Sequence, residues 1–220
     1  MEMTYSEIFI QKYSDFPVNE REVLRYAGCQ GADEDSDVVR MARDCISEAC
    51  RPGVFNFSIC YRRLSVLNVD TNNNIDFGLL KTKSADLADL MCGCSDAIFI
   101  AATVGHEIDR IINKYKRFDP AKALFMQAIG AERIETMLDE FCADKDVIIG
   151  SVFANNSHEN TIKYVLTPRF SPGYGDLSLA IQPEFLGVLD ASRKIGITLN
   201  DSLLMSPSKS VTAIVGVKEV

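Results

Sequence analysis

The chain has 220 residues, enough for one sizeable core or two small ones. Apolar residues make up 47% and charged residues 25%, the balance of a globular protein, and no apolar run approaches the ~20 residues that a bilayer span needs. The formal net charge of -8 argues against nucleic acid as the main partner, because phosphate binding needs a basic face.

The N-terminus, from Met1 to Glu7, has no basic region ahead of a long apolar one, which predicts no signal peptide and a cytoplasmic protein. A short strand or loop runs to about Pro17. Asn19-Glu20-Arg21-Glu22 then has the form of a capping box and opens a short helix that ends at Gly28. Val38, Val39, Ala42, Cys45, Ile46 and Ala49 recur at helical spacing, so a longer helix covers about Ser36 to Arg51. Pro52-Gly53 stops it. Phe55, Phe57, Ile59 and Tyr61 alternate with Asn56, Ser58 and Cys60, which predicts a half-buried strand. Leu64 to Leu80 reads as a hairpin around the turn formers Asp70-Thr71-Asn72-Asn73-Asn74.

Ser84 caps a helix running to about Met91. Ala97 to Val104 is a continuous apolar run of strand length, predicted as a buried central strand. Gly105 ends it, and Ile108, Ile111, Ile112 and Tyr115 form a helical stripe. Asp119-Pro120 starts a long helix that reaches about Cys142. Val147 to Phe153 is predicted as a strand, Asn155 to Asn160 as a polar loop and Ile162 to Leu166 as a further strand. Gln182-Pro183 starts a helix that Gly196 caps, Ser206 to Ser210 makes a turn, and Val211 to Val217 forms the last strand. Strands and helices interleave without regular βα alternation. The pattern predicts a single α+β domain over residues 1–220, with a mixed, mostly antiparallel sheet and flanking helices.

Seven cysteines, an odd number without framework spacing, read as reduced thiols. Cys92-Gly93-Cys94 is the close pair, and His106 and His158 show no zinc-type spacing with it, so no metal site is predicted. The common glycine-rich phosphate fingerprints are absent. Chemistry concentrates instead in Arg169-Phe170-Ser171-Pro172-Gly173-Tyr174-Gly175-Asp176. Arg169 offers a planar fork of donors suited to a carboxylate. Tyr174 offers a flat face with a polar tip, and the glycines let backbone approach a bound group closely. On these residues alone, a ligand loop and a salt-bridged surface turn stand level.

Arg169-Phe170-Ser171-Pro172-Gly173-Tyr174 matches the Arg-x-x-x-Gly-Tyr signature of one family, the activation domain of cobalamin-dependent methionine synthase. Two further runs extend the likeness: Lys194-Ile195-Gly196-Ile197-Thr198-Leu199-Asn200-Asp201-Ser202 and Met205-Ser206-Pro207-Ser208-Lys209-Ser210-Val211. Ala102-Thr103-Val104-Gly105 with Ile108-Asp109, and Ala131-Glu132-Arg133-Ile134-Glu135, carry it further back; residues 1–80 match weakly. The chain thus resembles that activation domain in a free-standing form.

The resemblance implies S-adenosylmethionine as cofactor and methyl donor. It implies reductive reactivation of methionine synthase, with the cobalamin held by a separate partner and electrons from a flavodoxin- or ferredoxin-like protein. No nucleic acid or membrane partner is implied. The protein would then be a component of a methyltransferase system; the other reading is an S-adenosylmethionine-binding or corrinoid-docking module without transfer of its own. By the same likeness Arg169 would pair with the ligand carboxylate, and Tyr174 would orient the methyl-transfer face as the catalytic residue. Phe170, Ser171, Pro172 and Gly173 would shape the loop, and Glu135 would meet the ammonium or ribose. Val215 and Gly216, where the family carries an aromatic pair, would offer backbone contacts. Asp176 would substitute for one polar contact.

Overall fold

The computed structural model describes residues 7–144 and 164–219. Its main sheet has five strands in the order β1-β2-β6-β10-β7, formed by β1 (Phe9–Tyr13), β2 (Phe57–Ser65), β6 (Asp96–Thr103), β10 (Ser210–Glu219) and β7 (Tyr164–Leu166). Every pairing in it is antiparallel. The fold is α+β, with a curled antiparallel sheet and flanking helices, as the interleaved pattern predicts.

β6 explains the architecture. All eight of its residues are buried, because both faces of the sheet are covered. Ile98, Ile100 and Ala102 join one cluster with α1 (Glu20–Tyr26), α2 (Asp37–Ala49), α4 (Glu107–Phe118) and α5 (Pro120–Ala143). Ala97, Phe99 and Ala101 point the other way. They meet α3 (Ala85–Met91), the short helices α6 (Gln182–Val188) and α7 (Ala191–Ile195), and a small antiparallel sheet of β3 (Asn68–Val69), β4 (Asn74–Asp76) and β5 (Lys81–Lys83). The period of two in a strand sends neighbours to opposite layers. Each large side chain so buried contributes about 2 kcal/mol from area alone.

Three expectations change. β2 is buried on both faces, not half-buried: Ser58 is 4% exposed and Cys60 is fully buried, under the second layer. Leu64 belongs to β2, and the expected hairpin becomes the three short strands that follow. The helix expected from Gln182 to Gly196 breaks at Asp190, whose φ of 49° ends α6 and starts α7; Gly196, at φ 76°, caps α7. Val147–Phe153, Asn155–Asn160 and the start of the Ile162–Leu166 strand lie outside the described residues.

The helix starts follow their caps. Ser36, Ser84 and Asp119 each accept a hydrogen bond from an amide three residues on. Asn19 also caps its helix by accepting from the Glu22 amide, but the reciprocal half of the box is missing. Arg25 holds the Glu22 carboxylate at 2.6 Å, and the Asn19 amide donates to Glu132 on α5 instead.

α5 carries an unusual interior. Arg133 is fully buried and Glu132 nearly so. The Arg133 guanidinium donates to both Glu132 oxygens, to the Phe16 carbonyl at 2.6 Å and to the Pro17 carbonyl at 2.7 Å. Thr136 and the Asn19 amide complete the Glu132 contacts. The pair bolts the chain's first turn onto the central helix. No described helix is long and apolar enough to cross a membrane.

Candidate functional site

Among the described residues β7 is the edge strand beside β10, and beyond Leu166 the chain stays beside β10. The Thr167 amide donates to the Gly216 carbonyl at 2.9 Å, and Phe170 exchanges two backbone hydrogen bonds with Ile214. Strand alternation therefore still governs residues 169 and 170. Arg169 turns to the α5 layer, and Phe170 packs with the α3 layer. The loop straddles the β7 edge of the sheet formed by the described residues.

On the α5 side, Arg169 Nη2 meets Glu135 Oε2 at 3.0 Å and Asp139 Oδ1 at 2.9 Å. These carboxylates are four residues apart on α5 and so share one helical face. Arg169 Nη1 is buried and has no hydrogen-bond partner among the described residues. An orphaned donor on a guanidinium costs desolvation without return, which marks a place where an acceptor fits. Beside it runs an open groove of about 620 Å³, lined by Cys142, by Val165 to Arg169 and by Val215. Burial pushes the Cys142 thiol up, Arg169 draws it back and Asp139 opposes that pull, so this cysteine stays neutral and apolar in character.

On the α3 side, the loop is tightly turned. The Gly173 amide donates to the Leu177 carbonyl at 2.8 Å, and the Tyr174 amide donates to the Ser171 carbonyl at 3.0 Å. Gly173 has φ 85°, which an L side chain rarely adopts. Ser171 and Pro172 are half-buried in the turn. The Tyr174 ring stands edge-on to Phe170 with centroids 5.9 Å apart, and Tyr174 is 71% exposed.

Asp176 is engaged within the chain. Its carboxylate accepts from the Ser84 hydroxyl and from the amides of Ala85 at 2.6 Å and Asp86 at 3.3 Å. The Ser84 hydrogen bond, then the Ala85 amide, hold its pKa below the usual aspartate value. Gly216 is engaged as well: its amide donates to Thr167 Oγ1 at 2.8 Å, and its carbonyl accepts from the Thr167 amide. A Cβ at Gly216 would lie 2.6 Å from Cys94 Sγ, so close packing accounts for the glycine.

The structure thus gathers Arg169 and Val215 at one groove, with Glu135 paired to Arg169 and Tyr174 on the adjoining loop. Asp139, Cys142 and Thr167 belong to the same place and were not singled out by sequence. For Asp139 a signal existed: a second acid one helical turn after Glu135. Two family-like runs also meet elsewhere. Asp109, after the β6 corner, accepts from the Ser208 amide at 2.7 Å and the Ser208 hydroxyl at 2.5 Å. Among the described residues no cluster of histidine, cysteine, aspartate and glutamate could hold a metal ion.

No protein-family model matches the chain, and no curated protein sequence matches it. Among solved structures it is similar to a crystal structure of the MetH reactivation domain bound to AdoHcy. The TM-score is 0.64 over 96% of this chain and 78% of that one, at 14% sequence identity. A likeness at that identity shows a shared fold.

Proposed function

We propose that the protein binds S-adenosylmethionine in the groove beside Arg169 and presents its methyl group to a corrinoid held by a separate protein, reactivating a cobalamin-dependent methionine synthase. The observation that carries this reading is the buried Nη1 of Arg169, without a partner among the described residues, at a groove of ligand size. Support comes from the fold, shared with a reactivation domain that was crystallised with the demethylated form of that ligand, and from the Arg-x-x-x-Gly-Tyr run.

The residues present fit the ligand's chemistry. Arg169 would hold the carboxylate through a charge-assisted hydrogen bond. Glu135, already within 3.0 Å of Arg169, would hold the ammonium. Val215 and Cys142 supply apolar walls, and Tyr174 stands exposed on the adjoining loop. When bound, the sulfonium supplies an activated methyl donor that removes reduced cobalamin as it forms. No general base is needed from this chain. Its work is positioning and electrostatics.

Calorimetry with S-adenosylmethionine tests the binding step. The expected result is saturable binding by the wild type, weakened at least tenfold by Arg169→Ala. Absence of binding would leave a protein that keeps the fold without the ligand. The transfer step is tested by mixing the protein with a synthase lacking its own reactivation domain, cob(II)alamin, a reductant and S-adenosylmethionine. Methylcobalamin should appear in the absorption spectrum. Binding without methylcobalamin would make the protein an S-adenosylmethionine-binding or corrinoid-docking module.

A further inference from the structure

The ion-pair cluster around Arg169, at the wall of the groove, has a surplus negative charge. Glu135 and Asp139 converge on a single guanidinium nitrogen, at 3.0 and 2.9 Å, and neither has another cationic partner among the described residues. Two carboxylates against one guanidinium leave one charge uncompensated. Asp139 is the outer member: its side chain is 72% exposed, while that of Arg169 is 26% exposed. Its field reaches the groove wall. Apart from the dominant effect of burial, the Cys142 thiol responds to Arg169 and Asp139 in opposite senses.

We propose that Asp139 is a specificity-determining residue, whose charge makes the groove prefer a sulfonium over the neutral thioether of the same skeleton. The inference rests on the reading of this groove as an S-adenosylmethionine site. S-adenosylmethionine carries a sulfonium, an ammonium and a carboxylate, for a net charge of about +1 at neutral pH. S-adenosylhomocysteine carries the last two and is neutral overall. Arg169 and Glu135 satisfy the carboxylate and ammonium of either molecule. Only the third charge distinguishes them, and the surplus carboxylate complements it.

The consequence for transfer is directional. The C–S bond of the sulfonium breaks with its electron pair left on sulfur, while the reduced corrinoid supplies the pair for the new bond to the methyl carbon. Sulfur becomes neutral, and the ligand loses the charge that matched Asp139. Spent ligand is then held less firmly than fresh ligand. The exposure of Asp139 keeps the effect small, because water and salt screen a rim charge.

The test is calorimetric titration of the whole chain with S-adenosylmethionine and with S-adenosylhomocysteine, at low and high salt. Asp139→Asn keeps an oxygen for Arg169 and removes the charge; Asp139→Glu keeps the charge. At low salt Asp139→Asn should cut the affinity ratio between the two ligands about threefold, through the sulfonium alone. High salt should shrink the wild-type ratio, and Asp139→Glu should preserve it. Equal weakening of both ligands would reduce Asp139 to a prop for Arg169 and overturn the proposal, as would unchanged affinities. Binding of neither ligand by the wild type would overturn the S-adenosylmethionine reading itself, and this inference with it.

Discussion

The Asp176 carboxylate accepts a hydrogen bond from the Ala85 amide at 2.6 Å, across 91 residues of sequence. With the Ser84 hydroxyl and the Asp86 amide it covers the start of α3, where backbone donors lack partners inside the helix. The Arg169–Asp176 loop is therefore tethered to a helix that lies under the layer opposite Arg169.

Removing this tether should have a pH signature. The folded-state pKa of Asp176 is lowered, first by the Ser84 hydrogen bond. Its stabilisation is complete above the unfolded aspartate value of about 4 and disappears as pH falls through the lower folded value. Asp176→Ala should lower the melting temperature at pH 7, and the gap from wild type should close in strong acid. A gap that persists at low pH would mean the charge is not what holds the loop.

Two glycines should respond to alanine with opposite signs. At Gly216 a new Cβ would fall 2.6 Å from Cys94 Sγ and 2.8 Å from Met91 Cε, so Gly216→Ala should destabilise by about 1–3 kcal/mol. At Gly187, inside α6, a new Cβ meets nothing within 4 Å. Gly187→Ala should stabilise by about 0.5–1 kcal/mol through helix propensity and reduced freedom of the unfolded chain. Urea unfolding of both variants reads the two signs.

Arg133 should be among the least tolerant positions. Arg133→Met leaves Glu132 charged and buried without its partner, and should cost about 3–5 kcal/mol in denaturant unfolding. Asn19, whose amide also donates to Glu132, should lose amide-exchange protection in parallel. A mild effect would show that water enters to replace the guanidinium.

The thiols should divide by burial. The Cys60 thiol is pushed up to about 12 by burial, and Cys45 to about 11, also chiefly by burial. Cys92 is exposed. Iodoacetamide at pH 8 should label Cys92 in the native protein and reach Cys45 and Cys60 only after unfolding, as read by peptide mass spectrometry.

The central strand was legible because its signal is one of composition: an unbroken apolar run from Ala97 means both faces are covered, and they are. The caps at Ser36, Ser84 and Asp119 were legible because their partners are three residues away. Arg169 and Glu135 were each singled out through the family likeness, which is a pattern and not a geometry, and their ion pair with one another was not. What sequence withheld was long-range. The partners of Asp176 lie about ninety residues upstream, and those of Arg133 lie at Phe16 and Pro17. Asp190 broke the expected helix with no glycine or proline at the break itself. Aspartate enters the left-handed region more readily than most residues, yet nothing local requires it to do so.

The backbone exchange between Phe170 and Ile214 has a thermodynamic corollary. Together with the Gly173–Leu177 hydrogen bond and the Asp176 tether, it anchors the loop at three points before any ligand arrives. Ordering of this loop is thus complete at folding and is not charged against association. Binding should show a heat-capacity change in proportion to the ligand's own apolar area, well short of the signature of a segment that folds around its guest.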